Sequence, residues 1–455
     1  MAAIRSAYSG LVVIGLGTLV VPLDSMVNVA SPDIVRAFGL EIPMIQWVVI
    51  SYVLTHASLM LVFGRLGDML GHRRIFLIGA AVSLLAFIGC TLAPAYGWLL
   101  AARVAQGMGA ALLLSCGPAL ATFLFPESER ARALGLYTMI FGLGGALGPP
   151  LAGLLVEQWG WRAVYAVRVP LCLVAFAFAL RLPVAPASGQ RESFDAVGAI
   201  LLASTITATL LAVNQLRDWA GQEFLILALA GAAVAAGAGF VHQELRVERP
   251  IIDVRLFGDA GFAVINLGNV LVNLSAFAVM LLAPFYLVQV EGLSVTMLGL
   301  VLACSAAGMM VSAPLAGRLA ARIPARKLLV AGAGMVAASL ALVGQTAGLA
   351  VMLPALVLQG VGLGLYQVAY TEIVTRTLPR RARGVAGSLA MMTRTLGTVT
   401  GAAVLMLAFT WVRGMADAAG LSGNEALAAG FRAAFTLAAA ITAAAAMLLL
   451  WRSPK

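Results

Sequence analysis

The sequence predicts an all-α integral membrane protein, and three observations predict it. Of its 455 residues, 62% are hydrophobic and 11% are Asp, Glu, Lys or Arg, against about 45–50% apolar and about 25% charged in a soluble domain. The apolar residues form fourteen runs, near 9–31, 44–65, 74–94, 98–121, 134–156, 161–182, 195–215, 222–241, 261–288, 294–316, 327–346, 350–374, 384–411 and 430–451. Each approaches the roughly 20 residues that cross a hydrocarbon core, and none has the period-2 alternation of a barrel strand. Charge between the runs is sided: loops after even-numbered runs hold 18 Arg and Lys residues, and loops after odd-numbered runs hold 5. Basic loops stay in the cytoplasm, so both termini are expected there. Trp47, Trp98, Trp159, Trp161, Trp219 and Trp411 fall at the expected outer ends, where indoles sit at an interface. The net charge of +10 is therefore a loop bias and gives no support to nucleic-acid binding.

Taken in chain order, the first run follows a terminus with a single arginine and no small-residue cleavage site, and reads as a retained span. Its stretch LDSMVNVASP holds Asp24 and Asn28. The second run holds His56, expected to be a hydrogen-bonded interior histidine, and leads into GRLGDMLGHRR at residues 64–74. In that polar hinge Gly64 and Gly71 permit tight turning and close approach. Asp68 can cap a helix or pair with an arginine, and Arg73 and Arg74 add to the cytoplasmic charge. The fourth run carries Arg103 in RVAQGMGAA. The fifth carries Gly135, Gly144, Gly148, Pro149 and Gly153; glycines four apart bring helices close, and proline bends the backbone.

The sixth run holds Arg168, at a depth shared with Asp24 and Arg103. An ionisable group within a span is costly and marks function by default. Burial favours a neutral carboxyl and a neighbouring cation favours its charged form, so a site balanced between them can take and release a proton. Asp24 is the expected proton acceptor and Arg103 its partner, with a static ion pair as the alternative. Asn266, Asn269 and Asn273 share one face of the ninth run at i, i+3, i+7. Amides turned to lipid are costly, so these face a water-filled cavity or a neighbouring helix. Gln367 and Tyr370 give the twelfth run a similar edge, and Glu372 near its inner end is expected to reach water. Arg394 is central in the thirteenth run and is a candidate for lining the cavity, as is Arg168.

A shift of 253 residues lays Gly64-Arg65-Leu66 on Gly317-Arg318-Leu319, Arg73-Arg74 on Arg326-Lys327, Gln106-Gly107 on Gln359-Gly360, and Gly144 and Gly148 on Gly397 and Gly401. One offset kept across four landmarks implies an internal repeat. The expected organisation is an N-terminal six-helix bundle over 1–182, two additional spans with a linker over 183–258, and a C-terminal six-helix bundle over 259–455. Two repeated halves around a central cavity suit an alternating-access carrier.

These landmarks resemble the major facilitator superfamily, in particular its fourteen-helix drug:proton antiporter branch. GRLGDMLGHRR is similar to that family's G-x-L-x-D-x-x-G-x-R-R loop, whose aspartate latches the two halves on the inner side. RVAQGMGAA resembles R-x-x-Q-G-x-G-A-A. The glycines of the fifth run resemble G-x8-G-x3-G-P-x2-G-G, the pattern of exporters, with Ala152 in place of one glycine. IQWVVISYVLT (45–55), FDAVG (194–198) and ELRVERPIIDVRLF (244–257) extend the resemblance over nearly the whole chain. Two departures stand out. Asn28 follows Asp24 by four residues, not five, a change that turns a helix face by about 100°; and Arg168 in WRAVYAVRVP stands where the family carries asparagine.

The resemblance implies proton-coupled export of amphipathic small molecules. The surplus of arginine over aspartate inside the spans supports an alternative, a carrier for one metabolite or organic anion. A membrane-embedded enzyme is a remote third reading: GxSxG and HExxH are absent, and His56, His72 and His242 are scattered. Lys327 and Lys455 are the only lysines and neither follows glycine, which excludes a Walker A site within this chain. The isolated Cys90, Cys116, Cys172 and Cys304 form no metal or disulfide pattern. No cofactor and no metal is expected. The expected partners are a small-molecule substrate, protons and the lipid bilayer, with a monomer as the working unit. The Ala-rich, Arg-over-Lys composition points to a GC-rich bacterial genome, and the expected location is the bacterial inner (plasma) membrane.

Overall fold

The computed structural model describes residues 2–126, 130–182, 195–215, 221–247, 254–319, 322–345, 348–377 and 383–452. Every regular element among them is helical: α1 (Ala2–Leu19), α2 (Met26–Phe38), α3 (Ile45–Leu70), α4 (His72–Thr91), α5 (Tyr96–Phe123), α6 (Arg130–Trp159), α7 (Ala163–Ala166), α8 (Arg168–Ala179), α9 (Ala196–Gln215), α10 (Glu223–Arg246), α11 (Ala260–Gln289), α12 (Val295–Leu319), α13 (Ala325–Gly344), α14 (Leu349–Thr377), α15 (Arg383–Ala418) and α16 (Gly423–Arg452), with short 3-10 turns between some of them. Among the described residues, eleven helical stretches are long and apolar enough to cross a membrane, and Ala163–Ala179 and Val197–Thr209 are shorter apolar helices.

Two of the expected runs are broken. The first divides into α1 and α2 around a 3-10 turn at Pro22–Ser25. Pro22 has no N–H to continue the α1 ladder, and Asp24 lies in the turn itself. The sixth divides into α7 and α8 at Val167. Pro170 removes one ladder bond there, and the Arg168 side chain takes the Val164 carbonyl through Nε at 2.8 Å.

Residue contacts gather into two compact units, Met1–Ala203 and Ser204–Lys455. Within the first, α5 packs on α3 and α4, α6 packs on the broken first span, and α4 packs on α8. Within the second, α14 packs on α12 and α13, α15 on α11, and α13 on α16. The two patterns are displaced by the same 253 residues that align the sequence. A Cβ on Gly107 would lie 2.6 Å from the Tyr52 carbonyl oxygen, and one on Gly360 would lie 1.8 Å from that of Ser305, the equivalent residue. Gly79 faces the Gly109 carbonyl just as Gly332 faces that of Gly362. The arginines opening α4 and α13 repeat as well. Arg73 donates to the Ala179 and Leu180 carbonyls at the end of α8, and Arg326 donates to the Leu450 carbonyl near the end of α16. Each satisfies carbonyls that a helix C-terminus leaves over and sits at its negative pole.

The hinge at 64–74 is shorter than expected. Helix α3 continues to Leu70, so Gly64 and Asp68 are helical, and the turn rests on Gly71 at φ 93°, a conformation glycine tolerates and other residues rarely adopt. Gly64 is not a close-approach position: an added Cβ would meet Ser115 at an ordinary 3.7 Å. The side chains of Arg65 and Asp68 lie outside the described residues, as does Trp219. Trp161 departs from its expected interfacial place. It is buried, at right angles to Tyr165 and against Phe38, because the chain turns at Gly160 and folds the indole back into the bundle. Trp98, Trp159 and Trp411 are exposed. Helix α10 is peripheral: 17% of its most apolar window is buried, against 72% for α11.

Gly360→Ala should lower thermal stability by about 1–3 kcal/mol, the usual cost of overpacking a close contact, while Gly317→Ala, with open space around it, should leave the melting temperature unchanged. Thermal unfolding of the purified protein in detergent compares the two.

Candidate functional site

The break in the first span presents Asp24 to two guanidiniums. Arg103 on α5 donates from Nη1 to Oδ1 at 2.5 Å and from Nη2 to Oδ2 at 2.8 Å, a two-bond fork that fixes the carboxylate plane. Arg168, at the start of α8, donates from Nη1 to Oδ1 at 2.9 Å. Gln106, one turn beyond Arg103, donates to Oδ1 at 2.8 Å and accepts from Arg103 Nη1 at 2.8 Å. Arg103 Nε reaches back to the Val48 carbonyl of α3 at 2.7 Å. The carboxylate thereby ties α5 and α8 to the broken first span, and Arg103 carries the link on to α3.

Both arginine side chains are fully buried, whereas that of Asp24 is 14% exposed. Aromatic faces take up part of the surplus positive charge. Arg103 lies 4.4 Å over the Tyr52 ring, and Arg168 lies 5.0 Å over Phe87 and 5.2 Å over Tyr165, geometry that attracts a cation to the ring face. Arg168 Nη2 donates no hydrogen bond among the described residues. His56 stacks on Tyr52 at 6.0 Å. It is interior, as expected, but its Nε2 has no hydrogen-bond partner among the described residues.

Glycines of α6 make room for the break. A Cβ on Gly144 would lie 2.7 Å from Pro22, and one on Gly148 would lie 2.1 Å from Ser25 Oγ. Gly135, Pro149 and Gly153 occupy the same helix. In the second unit the equivalent Gly397 and Gly401 lie against the Val270 and Leu274 carbonyls of α11.

Polar residues of the second unit form a separate, neutral network. Tyr370 donates to Asn266 Oδ1 at 2.8 Å, Asn269 donates to Thr393 Oγ1 at 2.8 Å, and Asn273 donates to Asn269 Oδ1 at 2.9 Å. Gln367 reaches Asn273 and Asn269 at 3.3 and 3.5 Å. The three asparagines and Tyr370 are buried, so they join α11, α14 and α15 rather than line an open surface; Gln367 alone of the group borders a cleft.

The arrangement brings Asp24 and Arg103 together and adds two partners. Arg168 is not cavity-lining: its position just after the Val167 interruption and its bond to Val164 turn the guanidinium inward, onto Asp24. Arg394 is exposed, and Asn28 is half-buried on α2. Gln106, a landmark of the repeat, was not expected at Asp24, although its place three residues after Arg103 puts both on one helix face. Thr393 was not expected either, since its hydroxyl carries no signal apart from the Arg394 beside it.

A profile of the Major Facilitator Superfamily matches residues 14–245 and 265–455. The chain belongs to this superfamily. Proteins similar to it include the multidrug resistance protein Stp of Mycobacterium tuberculosis (strain ATCC 25618 / H37Rv), 33% identical over 88% of this chain and 75% of its own. The tetracenomycin C resistance and export protein of Streptomyces glaucescens is 30% identical over 87% and 74%. The riboflavin transporter RibZ of Clostridioides difficile (strain 630) is 31% identical over 86% of each chain. Among solved structures, a bacterial homologue of the human lysosomal transporter Spinster aligns with TM-score 0.71 at 18% identity, covering 99% of this chain and 98% of its own. The nucleoside transporter NupG aligns with TM-score 0.70 at 10% identity, covering 98% of each. At such identities the likeness is one of fold. This superfamily member is a multi-pass membrane transporter of small-molecule substrates.

Asp24→Asn leaves two buried guanidiniums without an ionised partner and should cost about 3–5 kcal/mol of stability, the range for breaking a buried pair from one side. Adding Arg168→Met should recover part of the loss. Thermal unfolding of both variants, compared with Arg168→Met alone, measures the coupling.

Proposed function

We propose that the chain is a proton-coupled exporter of amphipathic small molecules, working by alternating access in the plasma membrane of a bacterium. The reading takes fourteen spans: six-helix halves over 1–182 and 259–455 and an inserted pair within 183–258, with both termini cytoplasmic and a monomer as the unit. The relatives named for multidrug resistance and for antibiotic export support the substrate class and direction. The glycine pattern of α6, which resembles that of exporters, agrees with them.

The observation that carries the coupling is the ratio of charge at Asp24: one carboxylate holds two fully buried guanidiniums. A proton placed on Asp24 removes the counter-charge from both. Two uncompensated buried cations are costly, so protonation is favourable only together with a rearrangement that lets the arginines reach water or new partners. Those arginines stand on α5 and α8, and Asp24 stands at the break between α1 and α2. Proton uptake is thereby tied to movement of helices. Asp68 and its neighbours Gly64, Gly71, Arg73 and Arg74 form the inner latch in this scheme, with Arg73 also holding the end of α8.

A second reading, a carrier for one metabolite or organic anion, draws on the surplus positive charge of the same cluster and on the similarity to a riboflavin transporter.

In proteoliposomes with an imposed proton gradient, the protein should move a dye cation against its gradient, and adding substrate should release a proton flux. Asp24→Asn should abolish the flux. Arg168→Asn, which keeps the carboxylate and the Arg103 fork but removes one of the two buried cations, should weaken it without abolishing it. Undiminished flux in Asp24→Asn would reject Asp24 as the coupling group, and transport of anions alone would favour the second reading.

A further inference from the structure

His56 is buried, titratable and outside the ion cluster at Asp24. On α3, Val48, Tyr52 and His56 stand at i, i+4 and i+8, along one helix face. The Val48 carbonyl holds Arg103 Nε, the Tyr52 ring lies under the Arg103 guanidinium, and the His56 imidazole stacks on Tyr52 with 16° between the planes. Helix α5 comes near along the same face. A Cβ on Gly107, one turn past Arg103, would lie 2.6 Å from the Tyr52 carbonyl oxygen and 3.2 Å from the His56 backbone nitrogen. Among the described residues, the charged and titratable groups around His56 are Tyr52 on its own helix, Arg103 on α5 and Asp24 at the break, whose carboxylate acts on the imidazole through space. Cys90 on α4 interacts with the same carboxylate and guanidinium.

The frame has no need of a histidine at this place. The shift of 253 residues carries Val48 onto Val301 and Gly107 onto Gly360, which keeps the close helix contact. It carries Asp24, Tyr52, His56 and Arg103 onto Phe277, Ser305, Met309 and Leu356. The four residues are thus present together in one unit and replaced together in the other.

An ionised Asp24 needs donors, and Arg103, Arg168 and Gln106 all donate to it. A protonated Asp24 is itself a donor, and those three groups then face it with N–H bonds. His56 offers the missing acceptor. The residue is 7% exposed, and its Nε2 has no hydrogen-bond partner among the described residues; with the ring proton on Nδ1, that nitrogen accepts. We propose that His56 Nε2 accepts the hydrogen bond of protonated Asp24 and then its proton. The Asp24 O–H bond breaks, the Nε2–H bond forms, and the imidazolium gives the proton up to water on the cytoplasmic side. The transfer leaves the net charge of the group unchanged. It returns the carboxylate to its two guanidiniums and leaves the new cation on the face of Tyr52, a favourable place for it. In the orientation proposed above, His56 lies four residues, about 6 Å, nearer the cytoplasm than Tyr52. The proton route rests on the coupled-export reading, whereas the acceptor role is tested apart from transport.

His56→Met installs the residue that the second unit carries. Thermal unfolding of the purified full-length protein compares its effect in two backgrounds at neutral pH. With Asp24 present, the substitution removes an unpartnered buried nitrogen and should leave the melting temperature unchanged or raise it. In Asp24→Asn, whose amide N–H stands in for the carboxyl O–H, it removes the acceptor and should lower the melting temperature by several degrees. Adding Arg168→Met to both backgrounds gives a second comparison in which loss of the carboxylate is better tolerated. Opposite shifts in folded protein support the proposal, and equal shifts in the two backgrounds overturn it. In proteoliposomes, His56→Met should keep the exchange of a labelled dye cation between equal concentrations, which requires no net proton release. It should lose roughly 10²-fold in dye-driven proton flux, the low end for a positioned proton carrier. Full flux in His56→Met overturns the transfer step. Absence of proton flux in the wild-type protein rejects coupled export instead, and the unfolding comparison still decides whether His56 is the acceptor.

Discussion

One carboxylate set between two buried guanidiniums is the constraint around which the first unit is arranged. Removing three charges from water is costly, and mutual attraction offsets that cost only where the geometry is good and the remaining donors are satisfied. The structure meets those conditions with means drawn from several helices. The first span gives up its regular ladder at Pro22–Ser25 to bring Asp24 forward. Arg103 supplies a fork, Gln106 bridges the pair, and Val48 and Val164 lend carbonyls to the two Nε atoms. Aromatic rings cover the guanidinium faces that have no oxygen partner. The glycines of α6 follow from the same need, since an irregular segment can lie against a helix only where side chains leave room for it.

The two units share this frame of close helix contacts and differ in what the frame holds. Equivalent glycines lie on equivalent carbonyls, and the arginines that open α4 and α13 both hold the end of a later helix in their own unit. At the positions equivalent to Asp24 and Arg103, the second unit has Phe277 and the buried Leu356. Its interior polarity is instead carried by amides and hydroxyls, which can satisfy one another without net charge and cost less to bury. The carboxylate held by two fully buried guanidiniums thus lies in the first unit. The second offers a neutral network of amides and hydroxyls.

Different parts of this arrangement were legible in the sequence to different degrees. Asp24 and Arg103 could be matched because intramembrane charges are rare and depth follows from residue count along a helix. Arg168 could be placed at the same depth but not on the same side, because the interruption at Val167 and the backward bond to Val164 set its direction. The asparagine face of the ninth run was readable as an inward face. Its partners Tyr370 and Thr393 stand on two other helices, and spacing within one helix says nothing of a neighbour's rotation. Gly64 shows the opposite case: it matches a recurrent pattern, yet its surroundings leave space for a side chain.

What the sequence by itself determined are properties local to a stretch of chain: apolar lengths suited to a membrane, the sidedness of basic loops, the repeat of 253 residues, and which polar residues must be buried. Tertiary structure alone decided how those buried groups are satisfied. The bonds to Asp24 join residues 79, 82 and 144 positions away. The reason is physical. Hydropathy and periodicity describe the environment a residue needs, whereas a hydrogen bond depends on distance and direction between side chains on separate helices, and these exist only once the helices have packed.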